Sequence, residues 1–269
     1  NFLKMSQESK PINPEGEKAD KEIIEEVKHS DQGQSAQPQP ADSNLQEILK
    51  RFGGGMPMEN ETKKVHNYWK DQPVPQDDEP TGEEGAIKKD NKVADERKTP
   101  LPMLDKFEWT DFDMNNGEHV EEIYNFLTEN YVEDEDGLFR FDYSKEFLQW
   151  ALTPPNYYPD WIFGVRVTKS RKIVGFITGI PVHVNVNGKK VKMAEINFLC
   201  VHKNLRSHKL APLLISEVTR RVHLRDIWQA IYTSGTRIPT PITQARYYHR
   251  SLNPKKLIEI KFSSLPPNQ

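Results

Sequence analysis

The stretch Ala194–Leu224 constrains the fold more than any other part of the chain, because a strand, a basic turn and a helix follow one another in it. Its first residues, AEINFLCV, are apolar and β-branched, which is typical of a buried strand. The irregular segment HKNLRSHKLA comes next. In PLLISEVTRRVHL, Leu214, Val218 and Val222 keep helical spacing, and Pro212 suits the first position of a helix. We therefore predict a strand, a turn and a helix that begins at Pro212.

The turn is the first candidate for a binding site, and Arg206, His208 and Lys209 lie in it. A turn that leads into a helix N-terminus gathers backbone N–H groups around an anion, above all a pyrophosphate. The alternative to a binding site is an ordinary strand–helix connection whose charged side chains only face solvent. The turn has neither the GxGxxG pattern of dinucleotide folds nor the P-loop pattern. It resembles instead the pyrophosphate loop of GNAT-like acyltransferases, which binds coenzyme A.

Length and composition favour one folded domain with tails. Residues 1–42 are polar and almost free of aromatics, so we predict a disordered tail. Residues 43–106 are an arm with a short helix, SNLQEILKRF, and an aromatic segment, HNYWKDQPVP, that suits an anchor or a ligand platform. Residues 107–269 are the folded domain.

A single cysteine fits a reducing compartment, so we expect a cytoplasmic protein, and no apolar run approaches the roughly 18 residues that span a bilayer.

Charge divides the folded domain into two parts. Residues 101–170 hold 5 Lys and Arg against 15 Asp and Glu, whereas residues 171–269 hold 17 against 4. A basic block suits a nucleic acid or a phosphorylated cofactor. We expect no nucleic acid, because the block contains no recognisable nucleic-acid module. The four consecutive acids Glu133–Asp136 form either a solvated loop or an attractor for a cationic substrate.

The remaining pattern predicts an α/β (α+β) domain with a mixed, largely antiparallel sheet flanked by helices. GEHVEEIYNFLTENYV and SKEFLQWAL are predicted helices, and WIFGVRV, KIVGFITGI and HVNV are predicted strands. Asn187-Gly188 is a strong signal for a type I′ hairpin that leads into the key strand. Farther along, IWQAIYTSG is predicted as a strand, ITQARYYHRSL as a short helix or turn, and KKLIEIKF as a last strand.

The residues favour acyl transfer over other chemistry. The histidines form no HxxxH or His/Cys cluster, so no metal site is expected, and no GxSxG elbow is present. Cys200 lies in a buried-looking strand, where lone cysteines are usually inert. Transfer from a thioester needs an amine nucleophile, a base and a polarised carbonyl, and backbone N–H groups at a strand bulge can polarise the carbonyl. The Phe198–Leu199 backbone lies just ahead of the turn, in the right neighbourhood for that role.

Long segments of the chain resemble one family, the N-myristoyltransferases. They are YWKDQPVP, ENYVEDEDGLFRFDYS, GVRVTKSRKIVGFI, EINFLCVHKNLRS, AIYTSG and RYYHRSLNPKKLIEIKF, and together they cover residues 66–75 and about 107–262 nearly without a break. The resemblance implies a GNAT-like fold, myristoyl-CoA as the donor, and the N-terminal glycine of a protein, with basic residues nearby, as the acceptor. It implies no prosthetic group, and we expect a monomer.

The resemblance also implies roles for individual residues. The backbone amides of Phe198 and Leu199 would form an oxyanion hole, and Asn197 and Thr233 would line the reacting centre. Acyl-CoA would contact Asn67, Tyr68, Trp69, Leu199, Cys200, Val201, Arg206, Ser207, His208, Lys209, Leu210 and Ala211. The peptide site would include Tyr131, Val132, Asp134, Asp136, Phe139, Phe141, Tyr247 and His249. His208 stands where the family usually has a second basic residue after the serine, which should weaken phosphate binding modestly.

The family has two similar halves, and this chain resembles the first. The second half supplies much of the peptide groove and the terminal carboxylate that deprotonates the glycine amine. We therefore expect a fragment or truncated product that binds myristoyl-CoA but transfers myristate slowly or not at all, with His249 as a partial substitute for the base. Two alternatives stay open: a non-catalytic acyl-CoA-binding module, and a GNAT-type N-acetyltransferase, which needs no long apolar tunnel.

The acidic loop generates a first test. Asp134→Asn combined with Asp136→Asn should weaken the binding of glycine-peptides that carry Lys or Arg, because two attracting charges are removed. Myristoyl-CoA affinity should not change. Titration calorimetry measures both, with the pair Glu83→Gln and Glu84→Gln as a control that removes the same charge elsewhere. Unchanged peptide affinity would mean that the loop is only a solvated face.

Overall fold

The structure, a computed structural model, describes residues 3–5, 92–133, 139–206, 208–234, 241–246, 248 and 250–262. Contacts divide the chain into two compact units, residues 1–62 with 82–233 and residues 63–81 with 234–269. Most of the predicted tail, the helix at SNLQEILKRF and the aromatic segment HNYWKDQPVP lie outside the described residues. No helix within the described ranges is long and apolar enough to cross a bilayer.

The described strands of the first unit form two sheets. The smaller is an antiparallel pair, β1 (Leu3–Met5) and β3 (Phe139–Phe141). The larger is built from β2 (Phe107–Asp111), β4 (Ile162–Val167), β5 (Ile173–Val186), β6 (Lys189–Val201) and β7 (Ala230–Ile231). Its order is β2-β4-β5-β6-β7, and its neighbours are antiparallel except for the parallel pair β6 and β7. This is the mixed, largely antiparallel sheet that the sequence predicts.

Helices pack on both faces of the larger sheet. On one face lie α1 (Gly117–Asn130) and α2 (Lys145–Leu152), where Ile123, Leu148 and Phe176 belong to one buried cluster. On the other face lies α3 (Leu210–His223), where Leu214 and Phe163 belong to a second buried cluster. Because side chains alternate across a strand, β4 and β5 contribute to both clusters. The two apolar layers hold β5 and β6 at the centre of the unit.

Local sequence signals explain where several elements begin. The Asn116 side chain accepts a hydrogen bond from the Glu118 N–H at 2.9 Å and caps α1, and the Ser144 hydroxyl accepts one from the Phe147 N–H at 3.2 Å and caps α2. At the tip between β5 and β6, Asn187 has φ 48° and Gly188 has φ 80°. Positive φ at both central residues is what a type I′ turn requires, so the predicted hairpin is confirmed.

One long strand, β5, replaces the two strands predicted at KIVGFITGI and HVNV. Pro181 lies inside it opposite Ala194, whose N–H donates to the Gln229 carbonyl on the far side of β6. In such a pair both backbone N–H positions face away from the partner strand, so the missing N–H of Pro181 removes no bond to β6. The β4 register ends at Thr178, before Pro181. The proline is therefore tolerated and the strand continues.

Two boundaries differ from the sequence prediction. Helix α3 begins at Leu210 rather than Pro212, with Lys209 at its N-cap in a left-handed conformation, φ 55°. Of the predicted strand IWQAIYTSG, only Ala230–Ile231 pairs, because β7 stays beside β6 for two residues and then leaves it. Apolar patterning identifies a strand-like segment but not the point at which its partner diverges.

The second unit contains the clearest error of the sequence analysis. The segment KKLIEIKF (255–262), predicted as a strand, overlaps α4 (Pro254–Glu259), which begins one residue before it. The Asn253 side chain accepts a hydrogen bond from the Lys256 N–H at 3.1 Å, and Pro254 begins the helix, so two helix-start signals act together. The β preference of Ile residues is realised only when a strand pairs with them. In ITQARYYHRSL the described residues show bends at Ile242 and Leu252 rather than a helix.

A buried ionic network fixes α3 to the rest of the first unit. The Glu217 carboxylate is fully buried and accepts hydrogen bonds from Arg220 at 2.6 and 2.9 Å, from Arg221 at 2.8 Å and from the Leu101 N–H at 3.1 Å. Arg221 also donates to Asp111 at 2.5 Å. The network joins α3 to β2 and to the segment before it. The network therefore holds α3 in place, and the basic turn that carries Arg206, His208 and Lys209 leads directly into this helix.

The network predicts a stability change. Glu217→Gln should lower the free energy of unfolding at neutral pH by roughly 3–5 kcal/mol, because it removes the carboxylate that pairs with buried Arg220 and leaves buried Arg221 with Asp111 alone. Burial alone would raise the pKa of Glu217, but the hydrogen bonds from Arg220 and Arg221 outweigh it and lower the pKa. The stabilisation should therefore be complete above the unfolded pKa of about 4.3 and be lost as the pH falls through the folded pKa.

Urea unfolding at several pH values measures this effect. The exposed α1 residue Glu129, changed to Gln, is the matched control and should change stability by less than about 0.5 kcal/mol. A difference between wild type and Glu217→Gln that grows on acidification would contradict the assignment.

Candidate functional site

Strand β6 is interrupted by a β-bulge at the position where the sequence places the candidate oxyanion donors. Phe176 pairs with Cys200 and Thr178 pairs with Asn197, so Phe198 and Leu199 together face one residue of β5. Phe198 has φ 54°. Bulges with positive φ at the first position usually carry Gly there, and a side chain in this region costs roughly 1–2 kcal/mol. The backbone at Phe198 is therefore strained for a bulky residue.

The peptide group between Asn197 and Phe198 is bonded at both ends. The Thr178 hydroxyl donates to the Asn197 carbonyl at 3.0 Å, and the Phe198 N–H donates to the Asn197 side-chain oxygen at 2.8 Å. Thr178 is fully buried, whereas Asn197 is exposed. Because a trans peptide holds its C=O and N–H on opposite sides, the Phe198 N–H points away from Thr178.

The edge of β6 beside the bulge is not paired with β7. The parallel register consists of Ala194 with Ala230 and Glu195 with Ile231, and both pairs precede the bulge. Thr233, predicted to line the reacting centre, follows β7 and is exposed. The divergence of the two strands opens the sheet at the bulge, so a group entering there meets backbone that β7 does not cover.

The basic turn begins directly after β6. The His202 Nδ1 accepts a hydrogen bond from the Asn204 N–H at 3.3 Å, which caps a short 3-10 helix at Lys203–Leu205. The Arg206 guanidinium donates to the Asn130 carbonyl at 2.7 Å and so connects the turn to the end of α1. His208 and Lys209 are exposed, and Lys209 is the N-cap of α3.

The first N–H groups of a helix have no partner within it, so the turn presents backbone donors beside three basic side chains. The helix dipole adds a partial positive charge at the same place. This arrangement is suited to phosphate groups. Ser207, the residue between Arg206 and His208, lies outside the described residues.

An aromatic cluster lies against the bulge on the α1 side. The Phe198 ring is 6.1 Å from Tyr131 and 5.4 Å from Tyr143, measured between ring centroids. Phe141 is 6.5 Å from Tyr131, and Phe147 stacks on Tyr143 at 5.0 Å. Burial raises the pKa of the Tyr131 hydroxyl, which stays protonated. The structure thus brings together Tyr131 and Phe141, two of the residues predicted for the peptide site, and both Phe141 and the neighbouring Val132 are exposed.

The acidic loop is partly neutralised by its own chain. The Glu133 carboxylate bonds Arg140 at 2.5 Å and Lys203 at 3.2 Å. The Arg140 hydrogen bond holds the pKa of Glu133 below its usual value, with a further contribution from Lys203. Glu133 is therefore engaged within the molecule, and the other three acids of the run, Asp134, Glu135 and Asp136, lie outside the described residues.

Several predicted site residues cannot be placed next to these groups. Of Phe139 only the backbone, in β3, is described. The others outside the described residues are Asn67, Tyr68, Trp69, Ser207, Asp134, Asp136, Tyr247 and His249. The structure also adds residues that sequence reasoning missed. Tyr143 lies inside the quoted motif ENYVEDEDGLFRFDYS and could have been found there, whereas Thr178 and Phe147 are recognisable only from their contacts.

Comparison with known proteins assigns more than half of the chain, including the bulge and the basic turn, to one family. Residues 86–245 match the model of the family described as Myristoyl-CoA:protein N-myristoyltransferase, N-terminal domain. The chain is 54% identical over 205 residues to glycylpeptide N-tetradecanoyltransferase of Dictyostelium discoideum, covering 76% of this chain and 49% of the relative. It is 50% identical over 228 residues to glycylpeptide N-tetradecanoyltransferase 1 of Arabidopsis thaliana, covering 83% and 51%.

The fold agrees with the same family. The structure of Saccharomyces cerevisiae N-myristoyltransferase with bound myristoyl-CoA superposes with a TM-score of 0.71 at 50% identity, covering 77% of this chain and 49% of the yeast protein. The chain thus spans about half the length of the relatives that it matches.

The environment of Cys200 predicts low thiol reactivity. The residue is buried beside the bulge, and burial raises the pKa of its thiol to about 12. At pH 8 the thiolate fraction should be about a thousandfold lower than for an exposed cysteine. Native chain should therefore react with a thiol-exchange reagent at least that much more slowly than chain unfolded in guanidinium. The protein has one cysteine, so the signal has one source. Equal rates in the two states would contradict the buried position.

Proposed function

Because this chain belongs to the N-myristoyltransferase family, we propose that it binds myristoyl-CoA and acts in the transfer of myristate to the N-terminal glycine of proteins. The observation that carries the proposal is the succession, on one strand and its following turn, of a bulge with backbone donors and a helix N-terminus with basic side chains. These two features suit the two polar ends of an acyl-CoA thioester, its carbonyl and its phosphates.

The turn would hold the coenzyme A phosphates. Arg206, His208 and Lys209 supply side-chain donors, and Leu210 and Ala211 supply the first N–H groups of α3. The contact with Asn130 uses one of the five N–H donors of Arg206 and sets the direction of its side chain. Charge-assisted hydrogen bonds to phosphate are stronger than neutral ones, so the turn would provide much of the affinity.

The bulge would serve the chemical step. When the glycine amine attacks the thioester carbonyl, negative charge develops on the oxygen, and the backbone amides of Phe198 and Leu199 would stabilise it. The tetrahedral intermediate then expels the coenzyme A thiolate: the carbon–nitrogen bond replaces the carbon–sulfur bond, and the proton that the amine loses leaves with the thiolate as the coenzyme A thiol. Asn197 and Thr233 can orient the amine but are not useful bases. Leu199, Cys200 and Val201 would run beside the thioester and pantetheine.

The acceptor would lie on the acidic side of the site. The aromatic cluster of Tyr131, Phe141 and Phe198 offers apolar surface next to the bulge. The loop with Asp134 and Asp136 would attract peptides that carry Lys or Arg. The single cysteine is a free thiol, which fits a reducing cytoplasm.

The phosphate site is tested by removing its charges. Arg206→Ala combined with Lys209→Ala should weaken myristoyl-CoA binding by at least about tenfold, since each lost charge-assisted hydrogen bond is worth roughly 1.5–3 kcal/mol. Titration calorimetry on the whole chain gives the affinity. Lys189→Ala combined with Lys190→Ala removes two exposed charges at the other end of β6 and is the control. An unchanged dissociation constant in the first pair would refute the assignment of the turn.

A further inference from the structure

The strain at Phe198 raises the question of what keeps its N–H pointing out of the strand. Rotation of the Asn197–Phe198 peptide plane would carry φ of Phe198 from 54° into the negative region, where a bulky residue is relaxed. The same rotation would turn the N–H toward β5 and remove it from the open edge of β6. The strained conformation is therefore the one that presents the donor, and something else in the structure must maintain it.

The Thr178 hydroxyl is placed to resist this rotation. It donates to the Asn197 carbonyl at 3.0 Å, which is the other end of the same planar peptide group. Thr178 is fully buried and sits between β4 and β6, paired with Ile162 on one side and Asn197 on the other. Rotation would break the hydrogen bond and leave a buried hydroxyl without that acceptor, which is unfavourable.

The Asn197 side chain satisfies the Phe198 donor. Its oxygen accepts from the Phe198 N–H at 2.8 Å, and the side chain is exposed, so solvent leaves room for a change of rotamer. A carbonyl oxygen arriving from outside would compete for the same N–H. The Asn197 amide thus keeps the donor satisfied until the acceptor arrives.

We propose that Thr178 is a positioning residue that locks the Asn197–Phe198 peptide plane, and that the Asn197 side chain is a placeholder that an acyl carbonyl displaces from the Phe198 N–H. The proposal rests on the proposed function, because it takes a thioester carbonyl as the arriving group. A hydrogen bond to the carbonyl end also polarises the peptide group, which makes its N–H a stronger donor.

A ligand-free experiment tests the positioning role separately. Hydrogen exchange of the Phe198 amide, followed by NMR on the whole chain, should be about tenfold slower in Thr178→Val than in wild type, since loss of the hydrogen bond that holds the plane lets the N–H turn from the open edge toward β5. Thr178→Ser keeps the hydroxyl and should restore the wild-type exchange rate. Thr219→Val is the control, because the Thr219 hydroxyl likewise donates to a backbone carbonyl, that of Ile215 at 2.8 Å, but within α3. Equal Phe198 exchange in Thr178→Val and wild type would overturn the positioning role.

Addition of myristoyl-CoA carrying ¹³C at its carbonyl tests the placeholder. In wild type the chemical shifts of the Phe198 amide and of the Asn197 side chain should both change. The infrared stretching frequency of the labelled carbonyl should fall, because the carbonyl accepts a hydrogen bond from the Phe198 N–H. In Thr178→Val the frequency of the stretch should fall less, while the dissociation constant changes by less than about threefold, because one hydrogen bond to a neutral carbonyl contributes little net binding free energy.

Bound myristoyl-CoA with unmoved Asn197 resonances in wild type would refute the placeholder, whether or not Thr178→Val folds. Absence of any binding to wild type would refute the proposed function instead, and the ligand-free exchange rates would still decide the role of Thr178.

Discussion

Two residues of β6, Phe198 and Leu199, face a single residue of β5, and the geometry of the candidate site depends on this mismatch. An unbroken ladder would direct every N–H of β6 into a neighbouring strand. The extra residue releases backbone from the ladder, and because β7 departs before the bulge, no described strand pairs with that backbone on the β7 side. The bulge persists because Phe198 is buried in the cluster beneath α1 and α2, and this packing acts together with the Thr178 hydrogen bond to maintain the strained φ.

The basic turn depends on the same strand through a different set of contacts. β6 ends at Val201, and the turn is held between the end of α1, through Arg206 and Asn130, and the start of α3. The Glu217 network fixes α3 to β2 through Arg221, which bonds both Glu217 and Asp111. The helix N-terminus therefore has a fixed position relative to the bulge. A ligand such as an acyl-CoA, whose phosphates and carbonyl would contact the two features at once, requires this. Charges that lie apart in sequence converge here: Glu133, the first acid of the acidic run, pairs with Lys203 at the start of the basic turn.

Short-range sequence signals were sufficient to predict much of the first unit. The Asn187-Gly188 hairpin, the caps at Asn116 and Ser144, and the strand–turn–helix order follow from short-range backbone and side-chain preferences. The sequence analysis failed where pairing decides the outcome. The segment after Asn253 is helical rather than extended, and β7 is shorter than its apolar pattern suggests. Thr178 has no sequence signature at all, because its role arises from a register shift between two strands. Much of the arm and the acidic loop lies outside the described residues, so their predicted roles stay predictions.

The central claim is that the site binds a long-chain acyl thioester, and the chain-length dependence of binding tests it most directly. Acetyl-CoA, octanoyl-CoA and myristoyl-CoA share the phosphates and the thioester and differ in apolar length. Titrated into the whole chain, they should bind with affinity that increases from acetyl to octanoyl to myristoyl, by up to roughly 0.8 kcal/mol for each methylene that is buried. Equal affinities for the three would show a site that recognises coenzyme A alone, and would contradict the assignment of a myristoyl donor.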